Sequence, residues 1–139
     1  MDDVTFGVIF PLRLGSDKRI DRSFVKCGEF RHCVYFIEID GRIVYVGKCR
    51  DLWKRLDTYR NSKYWKEANP SNILKTARLE MAIKKGKRVN LIVTTHDEST
   101  YHDFEINMIR KINPEWNKQH YDKANQKSEN TLQPINEAV

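Results

Sequence analysis

The sequence predicts a small mixed α/β (α+β) domain built on a short central antiparallel sheet of three strands flanked by helices. Three features carry that expectation. Two nearly continuous apolar runs, Cys33 to Ile39 and Ile43 to Val46, flank the hairpin dipeptide Asp40-Gly41. A helix signal from about Asp51 to Arg60 follows at once. An amphipathic stretch from about Thr100 to Ile112 is then stopped by Asn113-Pro114. A chain of 139 residues has room for one modest core and no second catalytic domain.

Before Cys33 the pattern is weak. Val4 to Phe10 reads as a strand that Pro11 stops, and a polar mixture runs on to His32. Residues 1–32 are therefore read as an N-terminal extension without an assigned role, 33–120 as the domain, and 121–139 as a polar tail. In the hairpin, register decides whether Tyr35 and Tyr45 share a face. A two-residue loop at Asp40-Gly41 sets Tyr45 opposite Phe36 and separates the tyrosines. A three-residue loop, Ile39-Asp40-Gly41, with glycine in the left-handed position of a bulge, places Tyr35 opposite Tyr45. It also sets Glu38 against Arg42, an opposite-charge pair worth about 0.2–1 kcal/mol, and is preferred for that reason.

Along the next helix Leu52, Leu56 and Tyr59 fall in one stripe, with Arg55 beside Tyr59 one turn earlier. Asn61 to Pro70 reads as a loop. Ser71 or Asn72 caps a second helix through about Lys85, closed by Gly86, and Val89 to Thr95 forms the third strand. On the last helix Tyr101, Phe104, Met108 and Ile112 line one arc. Glu105 falls inside it, about 40° from Tyr101 at 100° per residue. An ionised carboxylate there calls for a cation, a set of hydrogen bonds or a metal ion beside it. After Asn117 the chain turns polar and is read as a fraying peripheral arm.

The formal charge is +6 and the pI about 9.3. The excess lies between Arg42 and Arg88, where a long series of Lys and Arg faces only Asp51, Asp57, Glu67 and Glu80. That field favours a polyanionic partner over a merely basic surface. Cys27, Cys33 and Cys49 lack the CxxC spacing of zinc or redox sites and read as reduced thiols. With no leader-like start and no apolar run of membrane length, the expected location is cytoplasmic, in a bacterium or a phage-infected host, with no membrane partner.

These residues converge on a family. Cys33-Val34-Tyr35, Tyr45-Val46-Gly47-Lys48, Leu52, Arg55-Leu56, Tyr59, Glu105 and Pro114-Glu115-Trp116-Asn117 together resemble the GIY-YIG nuclease superfamily. The small phage enzymes of the coliphage endonuclease II type and some restriction enzymes are most similar, over about Cys33 to His120. Cys33, Val34 and Val46 depart from the family name, and none of the three changes touches a polar group of the motif.

The resemblance implies a divalent-metal-dependent DNA endonuclease using magnesium, with manganese as a substitute, and leaving 5′-phosphate and 3′-hydroxyl ends. Tyr35 would activate water, either as a phenolate favoured by Lys48, Arg55 and the metal or by orienting the water as a neutral phenol. Tyr45 would support it or contact phosphate. Arg55 would hold the scissile phosphate and Tyr59 stand near it. Glu105 would bind the metal and Asn117 close the site from behind. For substrate binding the candidates are Lys48, Arg50 and Lys54, together with Lys63, Tyr64, Trp65 and Lys66, where aromatic and cationic side chains alternate. The same tyrosines also suit plain half-buried strand positions, and Tyr64 and Trp65 suit packing on the domain's own core.

Double-stranded DNA is the expected partner. One active site cuts one strand, so a homo-oligomer is expected for double-strand cleavage. A rival metal site at His96, His102 and Glu105 is set aside because His96 precedes the helix and no further ligand completes a familiar spacing. Two alternatives stay open: a non-catalytic nucleic-acid-binding module, and a structure-selective repair or RNA nuclease acting with a partner.

Overall fold

The computed structural model describes residues 7–117. The expected fraying arm after Asn117, with the tail 121–139, lies outside the described residues. Strands β1 (Val8–Pro11), β2 (Arg31–Ile39), β3 (Arg42–Asp51) and β4 (Val89–Thr95) form one sheet in the order β1-β4-β2-β3, every neighbouring pair antiparallel. The sheet thus has four strands where three were expected. The fourth is β1, which sits at the edge, where Pro11 at its end is tolerated. Helix α1 (Leu52–Asn61) runs directly out of β3, α2 (Pro70–Lys84) leads to β4, and α3 (Tyr101–Ile112) follows β4.

The sheet separates two apolar clusters. One face packs Tyr35, Ile37, Tyr45 and Leu91 against Leu52, Leu56 and Tyr59 of α1 and Leu79 and Ala82 of α2. The other packs Val34, Phe36 and Val46 against Met108 of α3, with Phe104, Ile109 and Ile112 around it. The alternation along β2 reflects the two-residue period of a strand buried on both sides. Residues before Cys33 belong to the first cluster: Leu12, Ile20 and Val25 are buried in it, and Phe10 stacks on Phe24 at 4.7 Å. Arg22 lies over the Trp53 ring, and Arg60 reaches back to Asp17 and the Ile20 carbonyl, so this segment straps α1 to the sheet.

The hairpin corrects the expected register. Asp40 (φ 49°) and Gly41 (φ 84°) form a two-residue turn with both residues left-handed, and Ile39 pairs with Arg42. That turn matches the twist of its strands, and the turn geometry outweighs the weak Glu38–Arg42 pairing. Glu38 instead lies opposite Ile43 and accepts a hydrogen bond from Asn90 at 3.0 Å. A bulge then inserts Val44: Ile37 pairs with Tyr45, and Tyr35 with Gly47. The extra residue restores the parity that the short turn would have lost. Tyr35 and Tyr45 therefore share one face, as expected, but as diagonal rather than direct neighbours.

Helix ends follow their sequence signals to within a residue or two. Asp51 caps α1 by accepting from the Trp53 amide. Asn69, rather than Ser71 or Asn72, caps α2, with Pro70 in its first turn. Asn113 ends α3 in the left-handed conformation just before Pro114.

Candidate active site

The three tyrosines of the motif meet on the α1 side of the sheet. Tyr35 and Tyr59 share a hydrogen bond of 2.7 Å between their hydroxyls, and the rings of Tyr35 and Tyr45 lie 6.0 Å apart. Gly47 makes this possible. A Cβ there would lie 2.7 Å from Cζ and Oη of Tyr35 and from Cε2 of Tyr45, so only glycine lets both rings lie across β3. Burial pushes all three phenols above their ordinary pKa, and the opposing pull of Arg55 is smaller. Of the two forms expected for Tyr35, these directions oppose a resting phenolate and favour the neutral phenol.

Arg55 stands at the centre of this group. Its charge acts on Tyr35, Tyr45, Tyr59 and, from the far side, Glu105. Its Nε is buried without a hydrogen-bond partner. A buried guanidinium donor left open is costly unless an anion arrives to accept from it.

Glu105 is half-buried rather than enclosed. Desolvation raises its pKa, while Lys48, His102 and Arg55 act against that rise. The cations expected beside it are present, yet among the described residues no side chain hydrogen-bonds to it. Its oxygens are free for a hard cation, which takes carboxylate ligands and keeps much of its water. No group of three or more His, Cys, Asp or Glu converges among the described residues. His96 instead bonds Thr94 and packs on Phe104, and His102 bonds Lys48.

Asn117 grips β3. Its side-chain amide accepts from the Val46 N–H at 2.7 Å and donates to the Val46 carbonyl at 2.8 Å. This fixes the edge strand between Tyr45 and Gly47 by two bonds that a strand neighbour would otherwise supply.

Sequence reasoning missed Lys75. It is only 8% exposed, donates to the Tyr45 hydroxyl at 3.1 Å and stands 4.2 Å from the centre of that ring. Burial, then Arg55, lowers its pKa to about 8. The signal was available: Lys75, Leu79 and Ala82 share one helical stripe, so Lys75 is a charge on a buried face just as Glu105 is.

The remaining binding candidates divide. Lys48, Arg50 and Lys54 line a basin with Arg31, Arg55 and Tyr101, which meets the site through Arg55. Lys63 is engaged by Glu80 at 2.7 Å. Tyr64 and Trp65 are 49% and 46% exposed, so neither is absorbed by the core, and the Arg19 guanidinium lies 3.9 Å from the Tyr64 ring centre. Lys66 is exposed on the same loop.

A four-stranded antiparallel sheet with paired strand tyrosines, a helical arginine and a glutamate arriving from the opposite face defines a nuclease domain of the GIY-YIG type. Residues 32–118 match the family model of the UvrC-like GIY-YIG domain, and the chain belongs to the GIY-YIG nuclease superfamily. It is 33% identical over 99 residues to Endonuclease II of Enterobacteria phage T4, covering 63% of this chain and 72% of that protein. It is 38% identical over 85 residues to UvrABC system protein C of Mycoplasma capricolum, spanning 61% of this chain but only 12% of that longer protein. Among solved structures, a bacteriophage T4 EndoII point mutant superposes with a TM-score of 0.67 at 23% identity, over 79% of this chain and 90% of that one.

Proposed function

We propose that the protein is a divalent-metal-dependent endonuclease that hydrolyses phosphodiester bonds of double-stranded DNA by tyrosine-assisted attack of water. The observation that carries this reading is the open, buried Nε of Arg55 set among three tyrosines, with a glutamate opposite that has cations beside it and no hydrogen bond among the described residues. The open guanidinium calls for an anion, and the tyrosines and glutamate around it, absent from a pure phosphate clamp, supply groups that could act on a bound phosphate.

Arg55 binds the scissile phosphate and meets charge developing on its non-bridging oxygens. Tyr45 accepts from Lys75, which leaves its own O–H free to donate toward the phosphate. Tyr35, held by Tyr59 and seated on Gly47, orients the attacking water as a neutral phenol. The bond from phosphorus to the 3′-oxygen breaks as water adds, giving 5′-phosphate and 3′-hydroxyl ends. Glu105 would hold magnesium, or manganese in its place, which when bound polarises the phosphate and stabilises the leaving oxygen. Lys48, Arg50 and Lys54 hold neighbouring phosphates, and a homo-oligomer supplies a second site for the other strand. Among the described residues no helix is long and apolar enough to cross a membrane. The phage and bacterial relatives fit action in bacterial cytoplasm.

Plasmid nicking in magnesium, with mapping of the ends, tests the reaction. Glu105→Gln keeps the side chain's size and removes the anionic ligand, so nicking should fall by about 10³-fold or more while DNA binding in calcium and the thermal midpoint hold. A folded variant that still nicks at close to the native rate sinks the metal role.

A further inference from the structure

Tyr45 lies within β3, with Tyr35 of β2 beside it, and a groove lies toward each end of that strand. One is the basin around Lys48 and Arg50. The other, of about 680 Å³, lies between the hairpin tip and α2, and none of the groups named above as binding or catalytic lines it. Arg42 and Val44 of β3 form one wall, Arg78 and Met81 of α2 another, and Lys85 and Lys87 stand at its end.

Its charge is strongly positive, and its two acids are already engaged. Asp40 accepts from the Arg88 amide at 2.9 Å, and Glu115 lies 3.9 Å from Arg42 in an exposed pair. Arg78 is placed over the Trp116 ring, 5.4 Å from its centre. Stacking uses the flat face of a guanidinium and leaves its N–H edge for an oxyanion. Two links join the groove to the active site. Arg78 is one turn beyond Lys75, which bonds Tyr45, and Trp116 immediately precedes Asn117, which grips Val46.

We propose that this groove is a second backbone-binding site, holding phosphates of the nucleic acid on the far side of the scissile bond from the basin. The inference rests on the endonuclease reading. From Arg42 to Arg50, β3 advances about 26 Å at about 3.3 Å per residue. That equals about seven or eight nucleotides at about 3.4 Å of helix axis each, with the cut near the middle. An acidic protein segment is the competing occupant, and the salt dependence of DNA binding decides against or for it.

The test uses the full chain carrying Arg78→Ala and Lys87→Ala together, with Lys85→Ala and Lys87→Ala as a second pair at exposed positions. Duplex binding is measured in calcium across a salt series, and single-turnover cleavage in magnesium at saturating DNA. Two lost phosphate contacts should reduce the slope of log affinity against log salt by about 1.8 and weaken binding about tenfold or more at low salt. The saturated cleavage rate should stay within about threefold of native, since neither residue lies among the reacting groups. Duplexes cut back to about two base pairs on one side of the cleavage point should bind native and variant proteins alike on one of the two truncations. Unchanged slopes in both variants, with native cleavage intact, overturn the groove and leave the endonuclease reading standing. A native protein that neither binds nor cuts DNA overturns both.

Discussion

On the face of the sheet covered by α1 and α2, the polar groups of the site are buried and satisfied by one another: Tyr35 with Tyr59, and Tyr45 with Lys75. On the face covered by α3, Glu105 is half-exposed with no hydrogen-bond partner among the described residues, and Lys48 and His102 stand beside it. On the proposed mechanism the difference separates two tasks. Groups that must hold a geometry are desolvated and bonded, so that their hydroxyls do not wander. A group that must take an external ligand is left wet enough for the ligand to arrive and unpartnered enough to bind it. Arg55 belongs to both sides, because it is desolvated like the first set and open at Nε like the second.

Arg55→Ala should therefore give the largest loss. Cleavage should drop about 10³-fold, as when a main stabiliser of transition-state charge is removed. Binding should weaken less than about tenfold, because Lys48, Arg50 and Lys54 still hold the backbone. Equal losses in binding and turnover would show that Arg55 only tethers DNA and would erase its distinct place in the comparison. Gly47→Ala comes next. Its methyl group meets both tyrosine rings at 2.7 Å, so cleavage should fall about 10²-fold by displacement of Tyr35. Overpacking should cost about 1–3 kcal/mol in chemical denaturation. Native activity in this variant would mean that the tyrosine geometry tolerates movement.

How much of this was legible in the sequence depends on which interactions decide each feature. The order of elements, the limits of β4 and the end of α3 at Asn113-Pro114 follow from period and punctuation, which are local. The hairpin register was not legible, because the bulge at Val44 is fixed by what packs on each face rather than by the turn residues. The strand β1 showed in part as the Val4 to Phe10 run, although it spans Val8–Pro11 with Pro11 inside it, whereas the strap over α1 was hidden because Leu12, Ile20 and Val25 are spaced too irregularly to show a period. Among the candidates for the site, Tyr35, Tyr45, Arg55, Tyr59, Glu105 and Asn117 carry motif spacing; Tyr35, Tyr45, Arg55 and Tyr59 lie together, Glu105 interacts with Tyr45 and Arg55 through its charge, and Asn117 bonds the Val46 backbone. Lys75 escaped because the buried stripe of α2 also holds Thr76 and Glu80, and so reads as weakly amphipathic.

Lys75→Met should separate activity from stability. The folded pKa of about 8 lies below the ordinary 10.5, so the folded state binds fewer protons between those values. Native stability should therefore rise as pH climbs from about 8 toward 10.5, and the full penalty applies below 8. That penalty is roughly 3 kcal/mol, against about 1 kcal/mol or more for the hydrogen bond lost to Tyr45. The variant should thus melt higher than native at pH 7, with the gap closing toward pH 10, while cleavage falls about tenfold through the loosened Tyr45 hydroxyl. A loss of both stability and activity would make Lys75 a packing residue.

The smallest effect on turnover is expected for Tyr59→Phe, and it tests where the boundary between the two tasks runs. The substitution keeps the ring in the core and removes one partner of the 2.7 Å bond, leaving the Tyr35 hydroxyl buried and unpaired. Stability should fall by roughly 1–3 kcal/mol, the cost of an unsatisfied buried hydroxyl. Turnover should fall only a few-fold, because the Tyr35 ring is still seated on Gly47 and flanked by Tyr45. A residue that touched the reacting phosphate directly would show the opposite pattern, with an unchanged melting midpoint and turnover down by about 10²-fold. Measuring both on one preparation decides whether Tyr59 holds Tyr35 in place or stands with Arg55 and Glu105 at the phosphate.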